Sequence, residues 1–252
     1  MKPSFFNHLG KLLLFFISYA CLQNYAHAQT PPFYKEIQAF KSQDSARQPA
    51  ANAILFIGSS SFTKWKDVQD YFPGHTIINR GFGGSSLPDV IRYADDIIFP
   101  YQPGQIVIYC GENDIAGKGN ISPQIVFNRF KQLFQLIRNR LPQVHIAYVS
   151  MKPSPSRVKL WSEMVKANLM IKSFLNDEPA TAYIDVYHKM FYKNAKVMDH
   201  IFLKDKLHMN AKGYAIWQKV IAPYLLTAAT APLKGGHGDG PTGVKELLKT
   251  KQ

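Results

Sequence analysis

Five short apolar runs recur along the chain: Ala53 to Ile57, His75 to Asn79 with Ile77 and Ile78 at its centre, Gln105 to Tyr109, His145 to Val149, and Ala182 to Val186. Continuous apolar runs of this length, without polar alternation, mark strands buried on both faces. Helical periods lie between them. The clearest begins at Ser122-Pro123, an N-cap residue followed by proline at the first helical position. Its apolar stripe, Val126, Phe130, Leu133, Ile137 and Leu141, steps by three and four. A second starts near Asn210 and carries Trp217, Val220 and Ile221, with Pro223 placed to kink or shorten it. Strands alternating with helices predict an α/β domain, a five-stranded, mostly parallel sheet with helices on both faces. This domain is expected over 53–228. Residues 29–52 are polar and mixed, an N-terminal arm or first helix. Residues 229–252 crowd five glycines with Pro232 and Pro241 and read as a flexible tail, in which His237 is linker rather than ligand. No internal repeat appears.

The first 28 residues differ from the rest. Lys2 and Lys11 give a positive end to an apolar stretch, Leu12 to Leu22, that is too short to span a bilayer, and Ala26-His27-Ala28 forms an A-x-A cleavage site. Residues 1–28 are therefore expected to be a signal peptide, with export to the periplasm or the extracellular space after cleavage near Ala28. Cys21 leaves with this leader. Cys110 is then a lone cysteine at the end of an apolar run, a small buried hydrophobe, and the exported chain relies on its core rather than on a disulfide. At 252 residues with 46% hydrophobic and 19% charged, the chain is globular in composition. Its formal charge of +13 suggests anionic surroundings, with peripheral contact to a membrane or cell wall. The charges are scattered, with no dense basic run and no nucleic-acid motif, which argues against nucleic acid.

In an open parallel sheet the ligand cleft lies at the carboxyl ends of the strands, near the point where strand order reverses. Gly58-Ser59-Ser60-Ser61 follows the first run. Arg80-Gly81-Phe82-Gly83-Gly84-Ser85-Ser86 follows the second, and Gly111-Glu112-Asn113-Asp114 the third. Asp205-Lys206-Leu207-His208 immediately precedes the last helix. The glycine loop is not a dinucleotide fingerprint, because Ser86 occupies the third glycine position and the loop follows the second strand. Together these segments suit acyl transfer. A serine after a buried strand supplies a nucleophile. His208 can take its proton and return it to the leaving alcohol, and Asp205 can hold the other imidazole nitrogen. Gly84, Asn113 and the Ser60 backbone can serve as oxyanion donors.

This order of segments resembles the SGNH hydrolase superfamily, the GDSL-type esterases and lipases, over nearly the whole domain. The resemblance sets the register. The nucleophile stands third in a Gly-Asp-Ser-Leu-like tetrad, which here is Ser60. An oxyanion glycine lies five residues after the Asn ending strand two, which from Asn79 is Gly84. Gly-x-Asn-Asp gives Asn113, and Asp-x-x-His gives Asp205 and His208. Ser59 departs from the family pattern, standing where the family name has Asp. The Gly-Ser-Ser-Ser form followed by Trp65 resembles an exported bacterial subgroup. The resemblance implies a flavodoxin-like three-layer α/β/α sandwich and a serine esterase mechanism with no metal and no cofactor.

It permits O-acetylated carbohydrate, lysophospholipid or another short acyl ester as substrate. A short acyl group on a carbohydrate is favoured, since no long hydrophobic lid is apparent. The alternatives are a lysophospholipase-like lipid esterase and a non-catalytic carbohydrate- or cell-wall-binding protein on the same scaffold. Lys152, Ser154 and Arg157 follow the fourth strand and are candidates to bind an anionic or sugar part of the substrate, or else form a solvated loop. Phe82 and Trp65 either shape a pocket or pack. His200, beside Asp199, is the competitor to His208 as base.

Overall fold

The computed structural model describes residues 30–119 and 121–227. The leader expected at 1–28 and the tail expected at 229–252 lie outside the described residues. Five strands, β1 (Ile54–Gly58), β2 (Ile77–Gly81), β3 (Gln105–Tyr109), β4 (His145–Val149) and β5 (Thr181–Ile184), form one sheet in the order β2-β1-β3-β4-β5. Every pairing is parallel, so the sheet is wholly rather than mostly parallel. β3 and β4 fall on the predicted residues. β1 and β2 run past their apolar runs because the ladder between them continues to the pair Gly58 and Gly81. β5 stops short of Val186 because the Ser150 hydroxyl accepts from the N–H groups of Val186 and Tyr187, each at 3.0 Å, and draws the chain away from the sheet.

The alternation of side chains along the strands divides the interior into two layers. Leu55, Ile57, Ile106, Ile108, Ile146 and Tyr148 point to one face. There they meet α4 (Leu87–Arg92), α5 (Ala94–Ile97), α7 (Pro123–Arg140) and α8 (Trp161–Asn176), whose core residues include Val90, Ile97, Phe130 and Ile171. Phe56, Val107, Tyr109, Ala147 and Val149 point to the other face. They are covered by α2 (Ser60–Thr63), α3 (Val68–Tyr71) and α9 (Ala211–Ile221) through Phe62, Val68, Trp65 and Trp217. The short α6 (Glu112–Ala116) follows β3 directly. The caps act as the sequence suggests. Ser122 Oγ accepts from the Ile125 N–H, and the Asn210 side chain accepts from the N–H groups of Lys212 and Gly213. Leu141 lies just beyond α7 as its C-cap, and Pro223 sits in a 3₁₀ turn that ends α9.

The segment before residue 53 is not a separate arm. Residues Tyr34–Ala46 form a helix, α1, which seats Ile37 in the first core layer. Its far end is held by charge: Asp44 pairs with Arg80, and Tyr101 donates its hydroxyl to Asp44 at 2.5 Å. Arg80 Nε also donates to the Tyr101 hydroxyl at 2.7 Å. Sequence periodicity could not show this docking, since the partners lie on β2 and on the turn before β3. Asp44→Ala would leave the largely buried Arg80 guanidinium without its carboxylate. We expect a loss of about 1–3 kcal/mol, below the value for a fully buried pair because Asp44 retains some solvent. Equilibrium denaturation measures it, and an unchanged midpoint would show that the Asp44–Arg80 pair adds nothing to the docking of α1.

Candidate active site

The candidate residues gather at the carboxyl ends of β1 and β3, where the strand order reverses. The two strand ends approach very closely. Gly58 has φ +130, and a Cβ there would lie 1.9 Å from the Tyr109 carbonyl oxygen, so only glycine fits. The next N–H, of Ser59, donates to that same carbonyl at 3.0 Å. The chain then turns into α2. Of the three consecutive serines, Ser59 and Ser61 are buried, whereas Ser60 is half-buried and meets His208.

His208 Nε2 lies 2.9 Å from Ser60 Oγ, and His208 Nδ1 lies 2.6 Å from Asp205 Oδ2. The other Asp205 oxygen accepts from the backbone N–H groups of Leu207 and His208, at 3.0 and 2.9 Å. Burial alone would raise the Asp205 carboxyl. The hydrogen bonds from the His208 ring and from the two N–H groups outweigh it and hold the group well below the usual carboxylate range. A closed hairpin delivers the histidine: the Leu203 N–H donates to the His208 carbonyl at 2.7 Å, and Phe202 bridges to Met209. Lys206 sits at its turn with φ +55, a left-handed conformation uncommon outside glycine.

A second group of contacts joins the loops after β1, β2 and β3. Ser85 is the junction. Its hydroxyl donates to the Gly58 carbonyl at 3.1 Å, and its own carbonyl accepts from Asn113 Nδ2 at 3.0 Å. The Phe82 N–H also donates to Gly58, at 2.9 Å. Gly84 is exposed, with φ +88. Among the described residues, the N–H groups of Ser60 and Gly84 donate to no protein acceptor. Asn113 Nδ2 spends one of its two hydrogens on Ser85 and keeps the other. Asp114, the last residue of the Gly-x-Asn-Asp block, points inward. It accepts from the Leu87 N–H at 2.9 Å and pairs with Arg129 at 2.8 Å, tying α6 to the start of α4.

Several sequence expectations need correction. Lys152 and Ser154 neither face substrate nor form a solvated loop. Both are buried and turn to Glu112: Lys152 Nζ lies 2.7 Å from Oε2, and Ser154 Oγ donates to Oε1 at 2.9 Å. Arg157 is partly buried and donates to Asn113 Oδ1 at 2.8 Å, with Glu112 Oε1 3.2 Å away. Tyr109 donates its hydroxyl to Glu112 as well. Burial pushes the Glu112 carboxyl up, but Lys152 and Arg157 overcome this and keep it below its ordinary value. Sequence reasoning missed Glu112 because a charged residue inside a motif gives no local sign of being buried. Trp65 and Phe82 are fully buried and pack. His200 accepts or donates at the Tyr192 hydroxyl, 2.8 Å away, while Asp199 pairs with Lys206, so neither reaches Ser60. The chain carries a second Asp-x-x-His pair, Asp185 and His188. Its Oδ2–Nδ1 distance is 2.7 Å, but the histidine is exposed and contacts no serine. Cys110 is buried, and burial pushes its thiol well up. Among the described residues no group of three or more His, Cys, Asp or Glu side chains could hold a metal ion.

The fold is a three-layer α/β sandwich of flavodoxin-like strand order. Residues 56–216, more than half of the chain, match the profile of the GDSL-like lipase/acylhydrolase family, and the chain belongs to that family, whose members act on esters. Solved structures agree in fold. A protein from Streptococcus pneumonia, assigned provisionally as a platelet activating factor, is 19% identical with a TM-score of 0.66, covering 82% of this chain and 98% of its own. A GDSL-like lipase from Bacteroides thetaiotaomicron is 19% identical with a TM-score of 0.62, covering 75% and 96%. A variant of an acetyl-xylooligosaccharide esterase from Geobacillus Stearmophilus is 12% identical with a TM-score of 0.56, covering 69% and 94%. A search of curated proteins returned no significant match.

The buried charges beneath the site make a stability prediction. Lys152→Met leaves Glu112 buried with one cation fewer, and breaking such a pair typically costs about 3–5 kcal/mol. Denaturant unfolding measures the loss. A change under about 1 kcal/mol would show that Arg157 alone suffices to neutralise Glu112.

Proposed function

We propose that the protein is an exported serine esterase that hydrolyses a carboxylic ester through an acyl-enzyme on Ser60. The observation that carries this reading is the continuous chain Ser60–His208–Asp205, with contacts of 2.9 and 2.6 Å. Ser60 Oγ attacks the ester carbonyl as its proton passes to His208 Nε2. Negative charge on the carbonyl oxygen is received by the N–H groups of Ser60 and Gly84 and by the remaining hydrogen of Asn113 Nδ2. The tetrahedral intermediate collapses by breaking the bond to the alkoxy group, which leaves as the alcohol with the proton from His208. Water, deprotonated by His208, then attacks the acyl-enzyme. The second tetrahedral species releases the carboxylic acid and returns the proton to Ser60. Asp205 holds Nδ1 protonated, so that Nε2 is the basic nitrogen.

The substrate favoured is a short acyl group on a carbohydrate. Gly84 is exposed and Ser60 and Asn113 are half-exposed, an open setting that suits a small acyl group on a bulky alcohol. The similarity in fold to an acetyl-xylooligosaccharide esterase is consistent with it. Export rests on the apolar run preceded by Lys2 and Lys11 and on the A-x-A site near the N-terminus. Assays of the purified mature chain on p-nitrophenyl esters of increasing acyl length, on acetylated xylan and on lysophospholipid separate this substrate from a lipid ester.

Ser60→Ala should abolish hydrolysis and covalent labelling by an organophosphonate, while changing stability by less than about 1 kcal/mol. Full activity in that variant would place the nucleophile elsewhere. Asn113→Ala should lower kcat by about 10²–10³ with little change in KM.

The pH profile separates the two members of the dyad. The depressed Asp205 carboxyl stays ionised through mild acid. Its contribution to stability is complete above the ordinary carboxylate range, and is lost only as pH falls toward the lower folded value. Loss of rate in mild acid should therefore not follow protonation of Asp205. Asp205→Asn should lower the plateau yet keep an acid limb, whereas His208→Ala should remove both the limb and nearly all the rate. His200→Ala should leave the profile intact. Stopped hydrolysis in His200→Ala with activity retained in His208→Ala would overturn the assignment of the base.

A further inference from the structure

The turn at 154–157 lies between the two halves of the site and touches both. Toward the histidine hairpin, the Ser156 N–H donates to the Lys206 carbonyl at 3.0 Å, and Ser154 Oγ approaches the Leu207 carbonyl at 3.5 Å. Toward α6, Ser154 Oγ donates to Glu112 Oε1 at 2.9 Å, and Arg157 reaches both Glu112 and Asn113. The turn is closed on itself by the Arg157 N–H donating to the Ser154 carbonyl at 2.9 Å. Behind it, the Ser154 carbonyl accepts from Trp161 Nε1 at 2.9 Å, which fixes the turn to the start of α8. Every polar atom by which Arg157 is anchored thus belongs to a buried or half-buried group.

The Asn113 carboxamide needs a defined rotamer to donate to an oxyanion, because a half-turn about its last bond would replace Nδ2 by Oδ1 and set a lone pair against the developing charge. Two groups specify the orientation. The Ser85 carbonyl can only accept, so it selects Nδ2. The Arg157 guanidinium can only donate, so it selects Oδ1. Arg157 is itself held in place by the Glu112 carboxylate, whose charge Lys152 keeps neutralised inside the protein.

On the serine-esterase reading given above, we infer that Arg157 is a positioning residue: anchored on Glu112, it clamps the Asn113 carboxamide with its free N–H turned to the oxyanion, and it does not bind substrate. Lys could retain the charge opposite Glu112 but lacks the planar fork that spans Glu112 and Asn113 together, so it is no conservative substitute here.

A double-mutant cycle on a neutral short-chain p-nitrophenyl ester tests this, with Arg157→Met, Asn113→Ala and the pair. Arg157→Met should lower kcat by about tenfold or more, short of the ~10²–10³ lost when an oxyanion donor is removed outright, and should leave KM within about threefold. In the Asn113→Ala background the same substitution should lower kcat by less than about twofold, since nothing is left for Arg157 to orient. Equal losses in both backgrounds, or a rise in KM with unchanged kcat, would overturn the proposal. Should Arg157→Met fail to fold, Arg157→Lys carries the same cycle with the same outcomes. Ser60→Ala, assayed alongside, keeps the two claims apart. An active Ser60→Ala enzyme brings down the serine reading itself. An inactive one, with additive Arg157 and Asn113 effects, brings down only the role of Arg157.

Discussion

The close approach of β1 to β3 at Gly58 and the Tyr109 carbonyl is the contact on which the arrangement depends. A side chain at 58 has no space, and the adjacent Ser59 N–H satisfies the carbonyl that the approach would otherwise leave unpaired. This contact sets Ser60 beside the segment that carries Asn113. The loop after β2 is drawn to the same place through the Gly58 carbonyl, which receives hydrogen bonds from both Phe82 and Ser85. Three loops from three strands therefore share one short backbone junction, on which the proposed oxyanion donors stand.

Below that junction lies a charge cluster whose cost and benefit differ in kind. Burying Glu112, Lys152 and part of Arg157 sacrifices hydration that hydrogen bonds and Coulomb attraction only partly return. Such clusters are poor sources of stability. They do impose geometry, because each charge must meet its partner or remain unpaired in the interior. Here the geometry imposed is that of the turn at 154–157, a segment that touches both α6 and the histidine hairpin. The left-handed Lys206 in that hairpin fits the same account. Its carbonyl is held by Ser156, so the surroundings over-determine a conformation the residue would seldom choose.

Much of this was legible in the sequence. Continuous apolar runs identified all five strands; β1, β3 and most of β4 are buried on both faces as such runs imply, whereas the edge strands β2 and β5 are only partly buried. Ser122-Pro123 and Asn210 marked helix starts, since the capping bonds join residues only two or three positions apart. The parallel arrangement followed from alternation, and with it the edge of the sheet where the glycine- and serine-rich segments converge. Local chemistry also favoured the Asp205–His208 pair, whose two members share one turn.

What the tertiary structure alone decided concerns residues far apart in the chain. Ser60 meets His208 across 148 positions, and that contact, with the burial of Ser59 and Ser61, adds a physical distinction to the register that the family resemblance sets. Asp185 and His188 repeat the favourable local spacing, yet the fold leaves the histidine in solvent without a serine. Lys152 and Ser154 resemble surface residues in sequence, but lie inside because Glu112 is there to receive them. The residues before 53 read as an arm or a first helix, and the docking of that helix is decided where Asp44 meets Arg80. Periodicity and capping are short-range and can be read along one element. Pairing of buried charges depends on which elements the sheet topology brings together, so it is decided only when the chain is folded.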